Sequence, residues 1–259
     1  MTIKQVIEFL EAKFPIFYKE DWDPSGYALK TKQNKKITGI MIALDLNMEV
    51  YQAAITHQCN LIITHHPFVF EKTRSEIQQK APYKIPILKM LRINQITAYS
   101  IHTNFDNFIH GTSYQIAYQL GLKDFIKVED NQYYVIVDIK LSINEILKLL
   151  KNQFNLQDFR SNFKYLDTKF TELIFFAGSG DIVVINELSQ KHKHALFITS
   201  DIKWSDWITY SEQKTAILEI PHLIEQVFVN YMYNLLINSF DNLPIFKYEL
   251  SNLFYNLKF

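Results

Sequence analysis

Between residues 37 and 64 the chain changes texture twice. ITGIMIALDL (37–46) is almost continuously apolar, NMEVYQAAITHQ (47–58) has an amphipathic helical pattern behind an asparagine cap, and LIIT (61–64) is apolar again. Strands apolar at nearly every position are buried on both faces, so this run predicts a parallel strand–helix–strand unit. Ahead of it, Ile3, Val6, Ile7, Leu10 and Phe14 recur at helical spacing behind Thr2, a residue suited to cap a helix. EDWDPSGYAL (20–29) carries turn residues before a short strand. Beyond a looser stretch, 67–84, the pattern predicts a helix over 85–94, a strand over 96–101 and a helix over 111–120. A strand and a helix follow within YYVIVDIKLSINEILKLLKNQF. TELIFFAGSGDIVVINELSQKHKHALFITSDIKW then repeats the strand–loop–helix–strand order. A helix over 204–213, a strand over 215–220 and a long apolar-faced helix over 222–239 complete the pattern.

Two of these regions resemble each other. ALDLNMEVYQAAITHQCNLIITHHP and FFAGSGDIVVINELSQKHKHALFITSDIK share element order and approximate length, and each closes a strand on Ile-Thr before polar residues. The following strand ends in a His and a carboxylate in both: His102 and Asp106 in the first, His222 and Glu225 in the second. A duplication of this kind brings strand C-termini towards one crevice, where open α/β sheets place ligands. No low-complexity linker divides the chain. The expected architecture is therefore one α/β unit over residues 1–259 made of two similar, intertwined lobes, roughly 1–125 and 126–259.

Composition narrows the classes. The chain has 259 residues, enough for a substantial core, and 48% of them are hydrophobic, which excludes disorder. Lys+Arg and Asp+Glu both total 27, so there is no strong nucleic-acid signal. A single cysteine, Cys59, forbids an internal disulfide and points to a reducing, cytoplasmic setting. MTIKQVIEFLEAKF lacks the apolar core of a signal peptide, and no run of about 18 charge-free apolar residues predicts a membrane span.

The chemistry-bearing residues are His65 and His66 after one strand, Asp106 after the next, and His222 with Glu225 at the start of the last helix. Imidazoles mixed with carboxylates suit Zn²⁺, Fe²⁺ or Mn²⁺, and a carboxylate can bridge two ions. Adjacent strand residues point to opposite faces, so His65 and His66 converge only if the strand has ended, which Pro67 favours. His222 and Glu225, three apart on a helix, share a face. Each feature also has a plain reading: a solvated His-His turn, an Asn/Asp turn in HTNFD, an intrahelical His–Glu pair. His57, His110, His192 and His194 read as surface residues, Trp22, Trp204 and Trp207 as packing anchors, and Cys59 as a small buried residue. Gly178-Ser179-Gly180 before a helix offers an anion cradle.

Five segments together resemble the GTP cyclohydrolase 1 type 2 homologue (Nif-three-like) family in its short bacterial form. They are EDWDPSGYAL, ITGIMIALDLNMEVYQAAITHQCNLIITHHPFVF, YSIHTNFD, AGSG and FITSDIKWSD, in that order. The resemblance implies mixed sheets with flanking helices in two similar lobes and no inserted central domain. It implies two divalent metal ions per subunit, held by His65, His66, Asp106, His222 and Glu225, with His102 just outside the ligands as a proton carrier. It further implies a toroidal homohexamer and hydrolytic opening of the ring of a purine nucleotide such as GTP. A non-catalytic metal chaperone or assembly partner is the alternative. Five features depart from the family pattern. The family places Glu four residues after His, whereas Glu225 is three after His222. Pro221 and Ser200 stand where it has glycine, Ser205 where it has histidine, and its paired glycines after HTNLD are reduced here to His110-Gly111.

Overall fold

The computed structural model describes residues 1–127 and 133–256. In chain order the elements are α1 (Ile3–Lys13), β1 (Gly26–Leu29), β2 (Ile40–Ala43), α2 (Met48–Thr56), β3 (Leu61–Thr64), α3 (Arg74–Lys80), α4 (Lys84–Ile93), β4 (Thr97–Ser100) and the single turn α5 (Thr103–Asp106). There follow α6 (Thr112–Gln119), β5 (Ile126–Lys127), β6 (Tyr134–Ser142), α7 (Ile143–Phe154), β7 (Arg160–Ser161), β8 (Lys169–Phe176), α8 (Ile182–Lys191), β9 (Ala195–Thr199), α9 (Trp204–Glu212) and β10 (Ile217–Glu219). A 3₁₀ turn (His222–Gln226), α10 (Val227–Ser239) and β11 (Ile245–Lys247) complete the chain.

The chain divides into two compact units, each built from two stretches of sequence. Unit 1 takes Met1–Asn107 and Phe228–Ser251; unit 2 takes Phe108–Val227 and Asn252–Phe259. The sheet of unit 1 runs in the order β1-β4-β3-β2-β11, parallel except for β1. The sheet of unit 2 runs β5-β6-β8-β9-β10-β7, with a parallel centre of β8, β9 and β10 and antiparallel strands at both edges. This is a mixed α/β fold, and its repeat is real: β2-α2-β3 and then β4 in unit 1 match β8-α8-β9 and then β10 in unit 2.

Local chemistry explains the boundaries. Thr2 and Gln5 form a reciprocal capping box for α1, and Ser142 and Glu145 form another for α7, each satisfying two otherwise unpaired helix N–H groups. Ile3, Val6, Ile7 and Leu10 are buried, roughly 2 kcal/mol of apolar transfer for each. Alternate residues of β6 and β8 feed opposite faces of their sheet. Val135, Val137, Leu173 and Phe175 pack with α6 and α7, while Ile136, Ile174 and Phe176 pack with Ile185 and Tyr210 of α8 and α9. In unit 1, Met41, Ala43, Ile62 and Ala98 meet Val50, Ala54, Ile87 and Leu91 of α2 and α4. No helix among the described residues is long and apolar enough to cross a membrane.

Two sequence expectations change, and one strand that the pattern did not mark joins a sheet. The stretch 67–84 contains α3, capped by the Thr73 side chain. The helix expected over 222–239 opens instead as a five-residue 3₁₀ turn and becomes α-helical only at Val227. β11, too short and polar in context to read from pattern, extends the first sheet by pairing with β2.

Candidate metal centre

In unit 1, β3 stops at Thr64, whose hydroxyl donates to the carbonyl of His66 at 2.8 Å. That local bond curls the chain off the strand, so the rings of His65 and His66 stand on the same side, their centroids 5.0 Å apart. His65 is fully buried. Its Nδ1 lies 2.9 Å from the carbonyl oxygen of Ile101, and its Nε2 lies 3.3 Å from Oδ1 of Asp106. A carbonyl only accepts, so Nδ1 carries a hydrogen and Nε2 is the nitrogen that faces the carboxylate oxygen. Two acceptors at that separation repel unless a cation or a proton lies between them. Asp106 is buried and comes from α5, whose first turn follows His102.

His66 is oriented in the same manner, with Nδ1 2.8 Å from Oδ1 of Asp45. Nδ1 of His102 faces Oδ1 of Asp23 at 3.3 Å. Asp23 is buried and accepts from the amide and hydroxyl of Ser25 (2.9 and 2.7 Å) and from the amide (3.0 Å) and hydroxyl of Thr103. Burial pushes this carboxyl up, but the bonds from His102, Thr103 and Ser25 outweigh it and hold the group well below the usual carboxylate range. One nitrogen from each of His65, His66 and His102 lies within 4.8 Å of the others.

Unit 2 repeats the arrangement on its own strands. Nδ1 of His222 lies 2.6 Å from Oδ2 of Asp201, and Nε2 lies 3.0 Å from Oε2 of the buried Glu225. The 3₁₀ turn makes this possible. At three residues per turn, positions i and i+3 eclipse, so a carboxylate one residue closer than the family spacing still stands beside the imidazole. Burial pulls the His222 imidazolium down, but the carboxylates of Glu225 and Asp201 outweigh it and push its pKa up to about 11. A metal ion binding there would displace that proton. Asp201 has a φ of 50°, a left-handed conformation uncommon outside glycine. Its loop is braced by Ser200 N–H and the Thr199 hydroxyl, which both donate to the carbonyl of Gly178 at 2.8 Å. Beside His222 and Asp201 a cavity of about 560 Å³ opens, lined also by Arg160, Glu219, Pro221 and Phe254.

The remaining candidates fall into place separately. The GSG turn is no anion cradle, because the Asp181 carboxylate already accepts from the first amides of α8, those of Val183 and Val184. Trp22 and Trp204 are not packing anchors: they are 63% and 80% exposed, and only Trp207 packs against a core. His192 is half-buried and paired with Glu172 at 2.9 Å, while His57, His110 and His194 are exposed. Cys59 is buried, and burial pushes its thiol up to about 12. Asp45, Asp23 and Asp201 are the residues that motif reading misses. Asp45 was legible in principle: β2 and β3 pair Ala43 with Thr64, and two steps further along the same register Asp45 meets His66.

Imidazoles at the C-terminal ends of parallel strands, each turned by an acceptor on Nδ1, define a mixed α/β protein with groups able to hold a metal ion. The sequence model of Duf34/NIF3 (NGG1p interacting factor 3) matches residues 1–253, and the chain belongs to that family. A "GTP cyclohydrolase 1 type 2 homolog" of Mycoplasmopsis pulmonis is 37% identical over 249 residues, 93% of this chain and 96% of the relative. Among solved structures, a Staphylococcus aureus hypothetical protein superposes with a TM-score of 0.85 at 22% identity, covering 99% of each chain. A Bacillus cereus protein related to NIF3 does so at 0.84 and 17% identity, again over 99% of each. At those identities the likeness fixes the fold alone.

Proposed function

We propose that the protein is a metal-dependent hydrolase that binds two divalent ions through His65, His66, Asp106, His222 and Glu225 and acts on a purine nucleotide. The observation that carries the metal reading is the repeated pairing of an imidazole Nε2 with a carboxylate oxygen, 3.3 Å in unit 1 and 3.0 Å in unit 2. In unit 1, Nδ1 is occupied by an oxygen acceptor, so the arrangement calls for a positive charge beside Nε2; in unit 2 the His222 imidazolium supplies that charge, and a metal ion would take the place of its proton. Borderline ions such as Zn²⁺, Fe²⁺ or Mn²⁺ match this donor set. Bound there, they would lower the pKa of water towards neutrality and polarise a substrate.

The protein's own contribution is orientation. Ile101 and Asp45 orient the rings of His65 and His66, Asp201 holds that of His222, and Phe228 packs on the His65 ring at 4.9 Å. The cavity beside His222 falls within the volume range of small-molecule sites, which favours an enzyme over a metal carrier. The nucleotide assignment draws on the name given to the Mycoplasmopsis relative. A toroidal homohexamer is part of the same reading.

The experiment is elemental analysis of untagged protein alongside His65→Ala and Glu225→Gln, followed by GTP turnover with each loaded metal. Stoichiometric metal, lost in the variants, together with ring opening, is the expected result. Metal bound without turnover of any nucleotide would leave the chaperone or assembly role and discard the hydrolase. Wild type that takes up no metal under any loading condition ends both.

A further inference from the structure

His102 lies outside the five ligands that the resemblance implies, yet it stands in a triangle with two of them. The ring centroids of His65–His66, His65–His102 and His66–His102 are 5.0, 5.2 and 5.4 Å apart, and the ring planes are inclined by 43°, 72° and 84°. Three imidazoles at these inclinations do not stack. They converge, with one nitrogen of each within 4.8 Å of the other two.

Each Nδ1 faces an oxygen acceptor of unit 1: Ile101 carbonyl at 2.9 Å for His65, Asp45 at 2.8 Å for His66 and Asp23 at 3.3 Å for His102. Histidines that ligate a metal through one nitrogen generally give the other N–H to a carboxylate or carbonyl, which sets tautomer and ring direction. Asp23 suits that task because it cannot move. It is fully buried and gripped by Ser25 and Thr103, so its oxygen is offered to His102 at a fixed place. Trp22 and Phe70 lie edge-on to the His102 ring at 5.8 and 6.1 Å and restrict its rotation. A surface histidine carrying protons to bulk water has no need of such confinement.

We propose that His102, oriented by Asp23, is a third imidazole ligand, so that unit 1 alone binds one borderline divalent cation through His65, His66 and His102 alongside Asp106. This rests on the reading that His65 and His66 bind metal. Three imidazole nitrogens with the Asp106 oxygen beside them make a four-donor set that suits such an ion. It also makes the first ion independent of the shortened PHLIEQ segment.

The test uses the full chain, stripped of metal and titrated with Co²⁺ against a competing chelator while the cobalt d–d absorption is recorded. In a His222→Ala/Glu225→Gln background, one Co²⁺ per chain is expected to remain. Adding His102→Gln is expected to weaken that binding at least about tenfold and change the d–d spectrum, and Asp23→Asn to weaken it by roughly 10–100-fold. Circular dichroism of the metal-free variants checks folding. If Asp23→Asn does not fold, His102→Gln, at a half-buried position, still decides. A background variant that binds no Co²⁺, or a His102→Gln protein with unchanged affinity and spectrum, overturns the proposal. When wild type binds metal and only His102→Gln is without effect, this inference fails while the metal reading stands. Wild type without metal sinks both.

Discussion

Glu172 sits on β8 with His192 Nδ1 at 2.9 Å and Lys127 Nζ at 3.1 Å. Burial raises its pKa, but the bonds from His192 and Lys127 outweigh burial and hold it below the usual value. A carboxylate depressed in the folded state adds stability above its unfolded pKa of about 4.3, and that stability is lost as pH falls through the folded pKa. Glu172→Gln is therefore expected to cost about 1 kcal/mol at pH 7 in urea melts, with the gap to wild type closing below about pH 4. The same residue shows what single positions conceal. His192 reads as exposed because its neighbours in QKHKH are polar, and only the pairing of β8 with β9 and β6 brings Glu172 to it. His65, His66 and Asp106 were legible because local sequence dictates their turn. Asp23 and Asp201 were not, since each meets its histidine through a loop rather than along the chain, and Asp45 becomes legible only through the register of β2 and β3.

Helix ends carry the next lesson. After α2, α4, α6 and α9 the chain closes with the same pair of bonds, from the left-handed residue and from the one after it. For α2 these are Gln58 N–H to the Ile55 carbonyl and Cys59 N–H to the Ala54 carbonyl, at 3.0 and 2.7 Å. The left-handed residue is glycine after α6, Gly121 at φ 79°, but Gln58 (54°), Gln95 (56°) and Lys214 (57°) in the others. Replacing any of the three by glycine is expected to stabilise the protein by about 0.5–1 kcal/mol, and Gly121→Ala to destabilise it by about 1 kcal/mol, read from thermal or urea melts. At the 3₁₀ turn, spacing and geometry trade places. Moving the carboxylate to the family's position with Glu225→Gln/Gln226→Glu should weaken binding of the second Co²⁺ at least about tenfold, because i+4 does not eclipse i at three residues per turn. Periodicity could not reveal that turn, since PHLIEQ has the same apolar pattern whether it winds tightly or loosely. The α-helices and central strands were readable because cap residues and continuous apolar runs mark them.

At the scale of the molecule, the duplicated strand–helix–strand order was readable, but the assignment of α10 and β11 to unit 1 was not, because it depends on a pairing across about two hundred residues: Ile245 with Ile40. A chain ending at residue 226 should therefore retain a structured unit 2 and show rapid proteolysis within 37–64, where β2 has lost its neighbour. Limited digestion with mass spectrometry tests this, and a protected 37–64 segment would contradict it. The same pairing orders events on the ribosome. Synthesis proceeds at about 5–20 residues per second, so β2 and the histidines of unit 1 emerge on the order of ten seconds before the strand that seals their sheet. The sheet begun first is completed last. Through that interval an apolar strand edge lies open beside a triad of nascent imidazoles, which makes this face a natural early client of holdase chaperones.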